Sequence, residues 1–227
     1  MLKHRRFVAK AKRRLLPDSR AVMSSMRSSD LLEAIVQHEL ERVRALLERG
    51  ADPNLPRDDG WRPLHVAIGQ IGAGGTIDFI KLLLEHGADV NAWDANHHET
   101  PILSAMEPPE LEVARVLLEA GADPNVRRST HESPLQLAVE HEHLEMTALL
   151  LRHGAGRTMN EWGGLRGLTP LGMGARKFNL PIIELLMAAG ADPQALDEYD
   201  ETARDKLPPR EKHDPRTWDR IIGLLGR

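Results

Sequence analysis

Cysteine is absent from the 227 residues of this chain, and aromatic residues make up only 4% of it. Without cysteine the protein has no disulfide, no thiolate nucleophile and no cysteine ligand for zinc, which is compatible with a reducing compartment. No apolar run approaches the roughly 20 residues that a membrane helix needs, and the N-terminus lacks the uninterrupted apolar core of a signal peptide. We therefore expect a soluble, cytoplasmic protein.

Charge is distributed unevenly along the chain. The formal net charge is -4, but residues 1–29 contain nine Lys or Arg and one acid, a charge of +8, which leaves -12 for the remainder. A basic arm therefore precedes an acidic body. We predict that residues 1–29 are a disordered arm. Two alternatives are docking of the arm to nucleic acid or an anionic membrane surface, and translation that begins at Met23 or Met26.

A short unit recurs through the rest of the chain. Gly-Ala pairs appear at intervals of 37, 34, 33 and 36 residues, and their glycines are Gly50, Gly87, Gly121, Gly154 and Gly190. Between them, starts that resemble x-Pro-Leu appear at Pro63, Pro101, Pro134 and Pro170, with a degenerate copy at Thr202-Ala203. Four copies in the same phase indicate a repeat protein.

Each unit has the features of a helical hairpin. Thr100, Ser133 and Thr169 can cap a helix with a side-chain oxygen, and the proline that follows each suits the first helical position. Each recurring glycine follows an apolar run, where a left-handed residue ends a helix. Stacked neighbours would bury the apolar faces. In residues 121–153 these faces are Leu135, Leu137, Ala138, Leu144, Met146, Ala148, Leu149 and Leu150.

The period and the motif resemble the ankyrin repeat, a turn followed by two antiparallel helices. Arg62-Pro63-Leu64-His65-Val66-Ala67 is the copy most similar to the T-P-L-H-x-A start of that family. The resemblance, to short and bacterial-like ankyrin proteins, implies an all-α repeat solenoid of stacked helix-turn-helix units with projecting β-turn or hairpin loops. The expected ankyrin domain, residues 30–225, comprises an N-terminal cap at 30–56, repeats at 57–90, 91–124, 125–157 and 158–193, and a C-terminal cap at 194–225.

Three irregular segments distinguish individual units. Residues 69–76 predict a longer, flexible loop between the two helices of the second unit, and Pro108-Pro109 separates the helices of the third. Residues 160–164 predict an extension of the turn in the fifth unit. A final helix at 215–225 is expected to cover the end of the stack.

Few residues invite a catalytic or metal-binding interpretation. Residues 72–76 are rich in glycine, but a nucleotide-binding loop needs a preceding strand and usually a lysine. His97, His98 and His131 lie at neighbouring turns and could together bind zinc, although exposed histidines are common in such turns. His65 stands where the resemblance implies a hydrogen-bonding link between units. We find no nucleophile elbow, and we expect no cofactor, no metal and no enzymatic activity.

The resemblance implies that function lies on the concave face formed by the turns and the inner helices. Aromatic residues and arginine recur at these turns and are enriched at interface hot spots, although Trp61 and Trp93 have the alternative of packing on neighbouring turns. The predicted partner-binding residues are Arg57, Asp58, Trp61, Trp93, Asp94, Asn96, His97, His98, Arg127, Arg128, His131, Glu132, Asn160, Glu161, Trp162 and Tyr199.

These residues predict a monomeric, non-catalytic module that binds a partner protein. One alternative is an inhibitor or immunity-type protein that neutralises a toxin or an enzyme, since some bacterial ankyrin proteins do so and the acidic body could steer toward a basic target. The other alternative is a tether to nucleic acid or an anionic membrane through the basic arm.

Overall fold

The computed structural model describes residues 29–57, 59–95, 98–108 and 110–226. Several predicted features lie outside the described residues. They are residues 1–28 of the basic arm with both alternative start sites, the predicted partner-binding residues Asp58, Asn96 and His97, and Pro109, which is predicted to separate two helices together with Pro108.

The described chain is built from α-helices that follow one another as antiparallel pairs. It contains eleven α-helices and no β-sheet, and Gly163 and Leu168 form an isolated bridge. The helices are α1 (29–36), α2 (Leu40–Glu48), α3 (Pro63–Gly69), α4 (Ile77–Glu85), α5 (Pro101–Ser104), α6 (Leu111–Glu119), α7 (Pro134–Glu140), α8 (Leu144–Arg152), α9 (Pro170–Arg176), α10 (Leu180–Ala188) and α11 (Pro215–Leu225). No helix of this part of the chain is long and apolar enough to cross a membrane.

The first helix of each repeat starts where the sequence predicts. Helices α3, α5, α7 and α9 all begin with a proline, a residue that costs nothing there because the N–H it lacks has no partner inside the helix. Ser133 caps α7 in a capping box with Gln136, and the Thr169 hydroxyl accepts from Gly172 N at 3.1 Å. The cap prediction is wrong for Thr100, whose hydroxyl is buried and finds no hydrogen-bond partner among the described residues.

The second helix of each repeat ends two residues before the recurring glycine, close to the predicted position. Gly50, Gly87, Gly121, Gly154 and Gly190 have φ between +83° and +92°. This left-handed conformation is open to glycine at little cost because glycine has no Cβ. The periodic glycines therefore mark the points at which the chain turns from each second helix toward the next turn.

The helices stack into one continuous core. Within a unit α7 packs on α8, and between units α7 packs on α9 and α8 on α10. Leu135, Met146 and Leu150 are fully buried, so the predicted apolar faces are largely confirmed. Leu144 is an exception at 41% exposure, because it begins α8 on the outer side of the stack. The all-α repeat solenoid is confirmed.

The irregular segments follow the predictions in part. The connection from α3 to α4 is long, but it contains a 3-10 turn at Ile71–Ala73 instead of being wholly irregular. The last unit has only a 3-10 turn, Arg204–Lys206, where earlier units have an inner helix. Helix α11 packs on α10 and buries Ile221 and Leu225.

Candidate partner-binding surface

Five turns project in a row along one edge of the stack, and we call them the tips. Each is closed by a backbone hydrogen bond of 2.8–3.1 Å between its first and last residues. The tips span residues 57–61, 94–99, 128–132, 163–168 and 197–201. Every tip contains at least one left-handed residue, with φ between +53° and +87°; these residues are Gly60, His98, His131, Gly164, Gly167 and Asp200. His131 therefore adopts the conformation expected for the glycine that it replaces.

Asparagine side chains join successive repeats beside the tips, in what we call the asparagine ladder. Asn54, Asn91 and Asn125 each donate to the carbonyl of the next terminating glycine, at 2.8–3.1 Å. Each also accepts a backbone N–H of the next repeat, at 2.7–3.1 Å. Asn160 continues the series by accepting from Asp192 N at 2.9 Å. The Asn160 side chain, predicted to face a partner, thus connects two repeats.

Arg127 holds the third tip to the fourth. Its Nε donates to the carbonyl of His131 at 2.9 Å and its Nη2 donates to the carbonyl of Trp162 at 2.5 Å, while Nη1 pairs with the Glu161 carboxylate. Arg62 makes the corresponding connection earlier in the stack, where its Nε donates to the carbonyl of Trp93 at 2.9 Å. These arginines stabilise the spacing of the tips.

Arg128 lies at the centre of a carboxylate cluster and is only 14% exposed. Its guanidinium is 2.6 Å from Glu99, 2.8 Å from Glu107 and 3.8 Å from Glu132. Burial alone would lower the pKa of Arg128, but the hydrogen bond to Glu107 and the neighbouring negative charges raise that pKa above its ordinary value. The side chain stays charged and connects the third tip to the preceding repeat. Its guanidinium is therefore already paired with carboxylates of this chain, whereas the sequence predicts that Arg128 contacts a partner.

The fourth tip forms a projecting hairpin, residues 163–168, which we call the finger. Gly164 N donates to Thr130 O of the third tip, and Glu198 N of the fifth tip donates to Gly167 O, both at 2.9 Å. Gln136 Nε2 donates to the carbonyls of Glu161 and Leu168, both at 3.1 Å. The finger is thus anchored on both sides, and it begins three residues later than the predicted extension at 160–164.

Aromatic side chains lie exposed along the tips. Trp93 is 46% exposed, Trp162 38% and Tyr199 62%. The Trp162 and His131 rings have centroids 5.7 Å apart, and Lys206 Nζ lies 5.6 Å from the Tyr199 centroid. Trp61 is half-buried.

The polar tip residues divide into exposed and buried groups. Arg57 is exposed and pairs with Asp59 of its own turn, while His98 and Glu161 are also exposed and Glu132 is half-buried. Asp94 is only 4% exposed, and its carboxylate accepts from Glu99 N at 2.9 Å inside the turn. Asp94 therefore shapes the turn, and the prediction that it faces a partner disagrees with its burial.

The most exposed large apolar side chain of the described chain is not among the residues predicted from the sequence to bind a partner. Leu165, at the end of the finger, is 92% exposed, and Leu196 is 50% exposed. Arg166 beside Leu165 is exposed and has no ion pair among the described residues. The glycines around Gly163-Gly164-Leu165-Arg166-Gly167 could have indicated a hairpin with Leu165 at its end.

Two grooves lie between the tips and the inner helices at the N-terminal half of the stack. The larger, which we call the inner groove, has a volume of about 360 Å³. Its walls include Trp61, His65, Ile68, Glu99, Glu107, Pro108 and Glu110. An adjoining groove of about 290 Å³ shares Trp61 and His65 with the inner groove and is also lined by Val36, Arg57 and Val66. His65, predicted to connect units, hydrogen-bonds the carbonyl of Glu99 through Nε2 at 3.1 Å.

No group of three His, Asp or Glu side chains among the described residues is arranged to hold a metal ion. His98 and His131 are both described, but His97, the third histidine of the zinc alternative, is not. The glycine-rich residues 72–76 begin inside the 3-10 turn Ile71–Ala73 and do not follow a strand, so they lack the setting of a phosphate-binding loop.

Known proteins share the repeat pattern of this chain. The model of the family described as ankyrin repeats (3 copies) matches residues 31–128 and 121–197, which is more than half of the chain. Cyclin-dependent kinase inhibitor 2A of Homo sapiens is 38% identical over 109 residues, 47% of this chain and 67% of that protein. Cyclin-dependent kinase 4 inhibitor B of Rattus norvegicus is 37% identical over 92 residues, 40% of this chain and 67% of that protein. The 2-5A-dependent ribonuclease of Mus musculus is 45% identical over 62 residues, 27% of this chain, and the match spans only 8% of the ribonuclease.

Proposed function

We propose that this chain, which belongs to the ankyrin-repeat family, binds a partner protein through its tips and has no catalytic activity of its own. Ankyrin repeats generally mediate protein–protein interaction. The observation that carries the proposal is the finger, which is anchored on both sides yet presents Leu165 at 92% exposure. The fold gains almost nothing from an apolar side chain in that position, whereas an interface would.

The finger belongs to a wider exposed surface. Trp162 and Tyr199 flank it, and Trp93 lies farther along the tips. A rigid aromatic anchor costs little conformational entropy when it binds, since its position is already fixed. We therefore place the partner on the finger and the neighbouring exposed aromatic side chains. Asp94, Asn160 and Arg128 hold the scaffold that positions them.

Copurification from native extract, followed by identification of the partner and titration of the purified pair, tests this proposal. Leu165→Ser should leave the unfolding transition unchanged and weaken binding by about 2 kcal/mol, roughly 30-fold. Leu144→Ser is the matched control, because Leu144 is 41% exposed on the outer side of the stack. Equal affinity for Leu165→Ser and the native chain would move the interface away from the finger.

A more specific candidate is inhibition of an enzyme by the bound chain. The observation that favours it is the similarity to the two kinase inhibitors, each matched over 67% of its length. A bacterial toxin remains another candidate target, and the acidic body would steer either one if it carried a basic face. The test is the activity of the identified partner with and without the chain. Full activity of the saturated complex would exclude inhibition and leave the binding function intact.

Tethering through the basic arm is a third candidate, supported by the charge of +8 in residues 1–29. Phosphate-driven binding weakens steeply as salt rises. Retention of the chain on DNA or on anionic vesicles should therefore fall between about 50 and 200 mM salt, and fall further when Arg5, Arg6, Arg13 and Arg14 are replaced by Gln. Retention that is indifferent to both changes would exclude the arm as a tether.

A further inference from the structure

We propose that the inner groove binds an arginine or lysine side chain from an extended segment of the partner protein. The inference rests on the proposed binding function, because it names the chemistry of the segment that the tips and inner helices would hold. The finger lies near the other end of the stack, so the groove forms a second and separate contact with the same partner.

The charges around the groove favour a cation. Glu99 and Glu107 share a single guanidinium, that of Arg128, at 2.6 and 2.8 Å. Glu110 also lines the groove and has no ion pair among the described residues. Three carboxylates and one guanidinium leave a formal charge of -2 at the groove, so an anionic side chain would be repelled and a cationic one attracted.

The walls of the groove favour a long cationic side chain over a small cation. Trp61, Ile68 and Pro108 line it together with the carboxylates. Arginine and lysine lay an aliphatic stem along an apolar wall while the charged group reaches a polar rim. A guanidinium also stacks on an indole ring and pairs with two carboxylate oxygens at once, which favours arginine over lysine.

The adjoining groove adds a requirement for the neighbouring residue. Trp61 lines both grooves, and Val36, which is 45% exposed, Val66 and Arg57 line the second one. A partner segment that crosses Trp61 would therefore place a basic side chain in the inner groove and an apolar side chain against the two valines.

A defined peptide tests the inference on the full chain. The probe is a blocked seven-residue peptide with a central arginine and a leucine two positions to either side, and its matched control carries citrulline, which has the same shape without the charge. Binding is followed by the NMR signal of the Trp61 indole N–H, assigned with Trp61→Phe. The arginine peptide should bind about tenfold more tightly than the citrulline peptide. Equal binding of the two would overturn the inference.

Variants on one helix locate the cation. Glu110→Gln should weaken the arginine peptide by about fivefold, the effect of a partly exposed ion pair. Glu119→Gln, the same change of charge at the exposed far end of α6, should have no effect. Loss of binding in both variants, or in neither, would mean that the carboxylates of the groove are not the site.

Other occupants of the groove would give different results. If the peptide binds only when Arg5, Arg6, Arg13 and Arg14 are replaced by Gln, the occupant is the basic arm of the same chain. If Glu110→Gln abolishes a concentration-dependent dimer, the occupant is a second copy. Either result would overturn the inference. Leu165→Ser should leave peptide binding unchanged, because Leu165 lies outside the groove. If the peptide does not bind but partner capture still depends on Leu165, the groove inference is wrong and the proposed function still holds.

Discussion

The ammonium group of Lys206 lies 2.5 Å from Oδ2 of Asp197, a carboxylate whose side chain is only 2% exposed. The other oxygen of Asp197 accepts the backbone N–H groups of Tyr199 and Glu201, at 2.8 and 3.1 Å. The pair connects the last tip to the 3-10 turn that takes the place of an inner helix. Lys206→Met should lower the free energy of unfolding at pH 7 by about 3 kcal/mol, because it leaves a buried carboxylate without its cation.

The same pair predicts a dependence on pH. Burial alone would raise the pKa of Asp197, but the ammonium group of Lys206 and the backbone hydrogen bonds lower that pKa below its ordinary value. A carboxylate whose pKa is lower in the folded state stabilises the fold at pH values above the pKa that it has in the unfolded chain. That stabilisation is lost as the pH falls through the pKa of the folded state. Urea unfolding at pH 7 and pH 3 should therefore show a smaller loss for Lys206→Met at pH 3. A loss equal at both values would mean that Asp197 is not the group responsible.

Asn160 offers a direct comparison between scaffold and binding roles. If its amide serves the asparagine ladder, Asn160→Ala loses the hydrogen bond to Asp192 N and should destabilise the fold by about 1 kcal/mol, with no change in partner affinity. Gln194→Ala is the matched control, because Gln194 is exposed and none of its side-chain atoms makes a hydrogen bond to the described residues. If Asn160→Ala instead weakens partner binding and leaves stability unchanged, Asn160 contacts the partner as the sequence predicts.

Substitution of the hydroxyl residue at two equivalent helix starts should have different effects on the stability of the fold. Ser133→Ala removes the hydroxyl that caps α7 and should cost about 1 kcal/mol. Thr100→Val replaces a buried hydroxyl that has no partner among the described residues, so it should be neutral or stabilising. Thermal unfolding of the two variants measures both effects. A clear loss in Thr100→Val would show that its hydroxyl is satisfied, for instance by a buried water molecule.

A buried and an exposed leucine, on α7 and α8, allow a similar comparison of stability. Leu135→Ala, at a fully buried position of α7, should cost about 2 to 5 kcal/mol through the lost burial and the cavity that remains. Leu144→Ala, at a position that is 41% exposed, should cost well below about 1 kcal/mol. Chemical denaturation distinguishes them, and similar losses would mean that the two helical faces are assigned incorrectly.

The scaffold was predictable because its residues repeat. Pro134 and Gly121 perform the same task in several units, so their spacing alone predicts where a helix begins and ends. Asn160 belongs to this class as well, but two additional residues separate it from its Gly-Ala pair, compared with Asn125, and this shift concealed its place in the ladder.

The tip contacts were less predictable, because a residue that does not repeat can serve either the fold or a partner. Arg127 and Arg128 are adjacent and have the same chemistry, and both are engaged within the stack. Their partners come from turns about 20 to 35 residues away, as with Glu107 and Trp162. Such pairings depend on how the repeats stack, which the residues of one unit do not specify. Leu165 was missed for a related reason, since its exposure follows from the anchoring of the finger by both neighbouring tips.

That anchoring makes a final prediction about Gly163. A Cβ at this position would lie 2.2 Å from the carbonyl oxygen of His131, so Gly163→Ala must displace the base of the finger from the third tip. We expect a loss of about 1 to 3 kcal/mol in stability, together with weaker partner binding because Leu165 is no longer held in place. Gly156→Ala is the control, since a Cβ there meets open space. Full stability in Gly163→Ala, measured by urea unfolding, would mean that the finger is not fixed against the third tip.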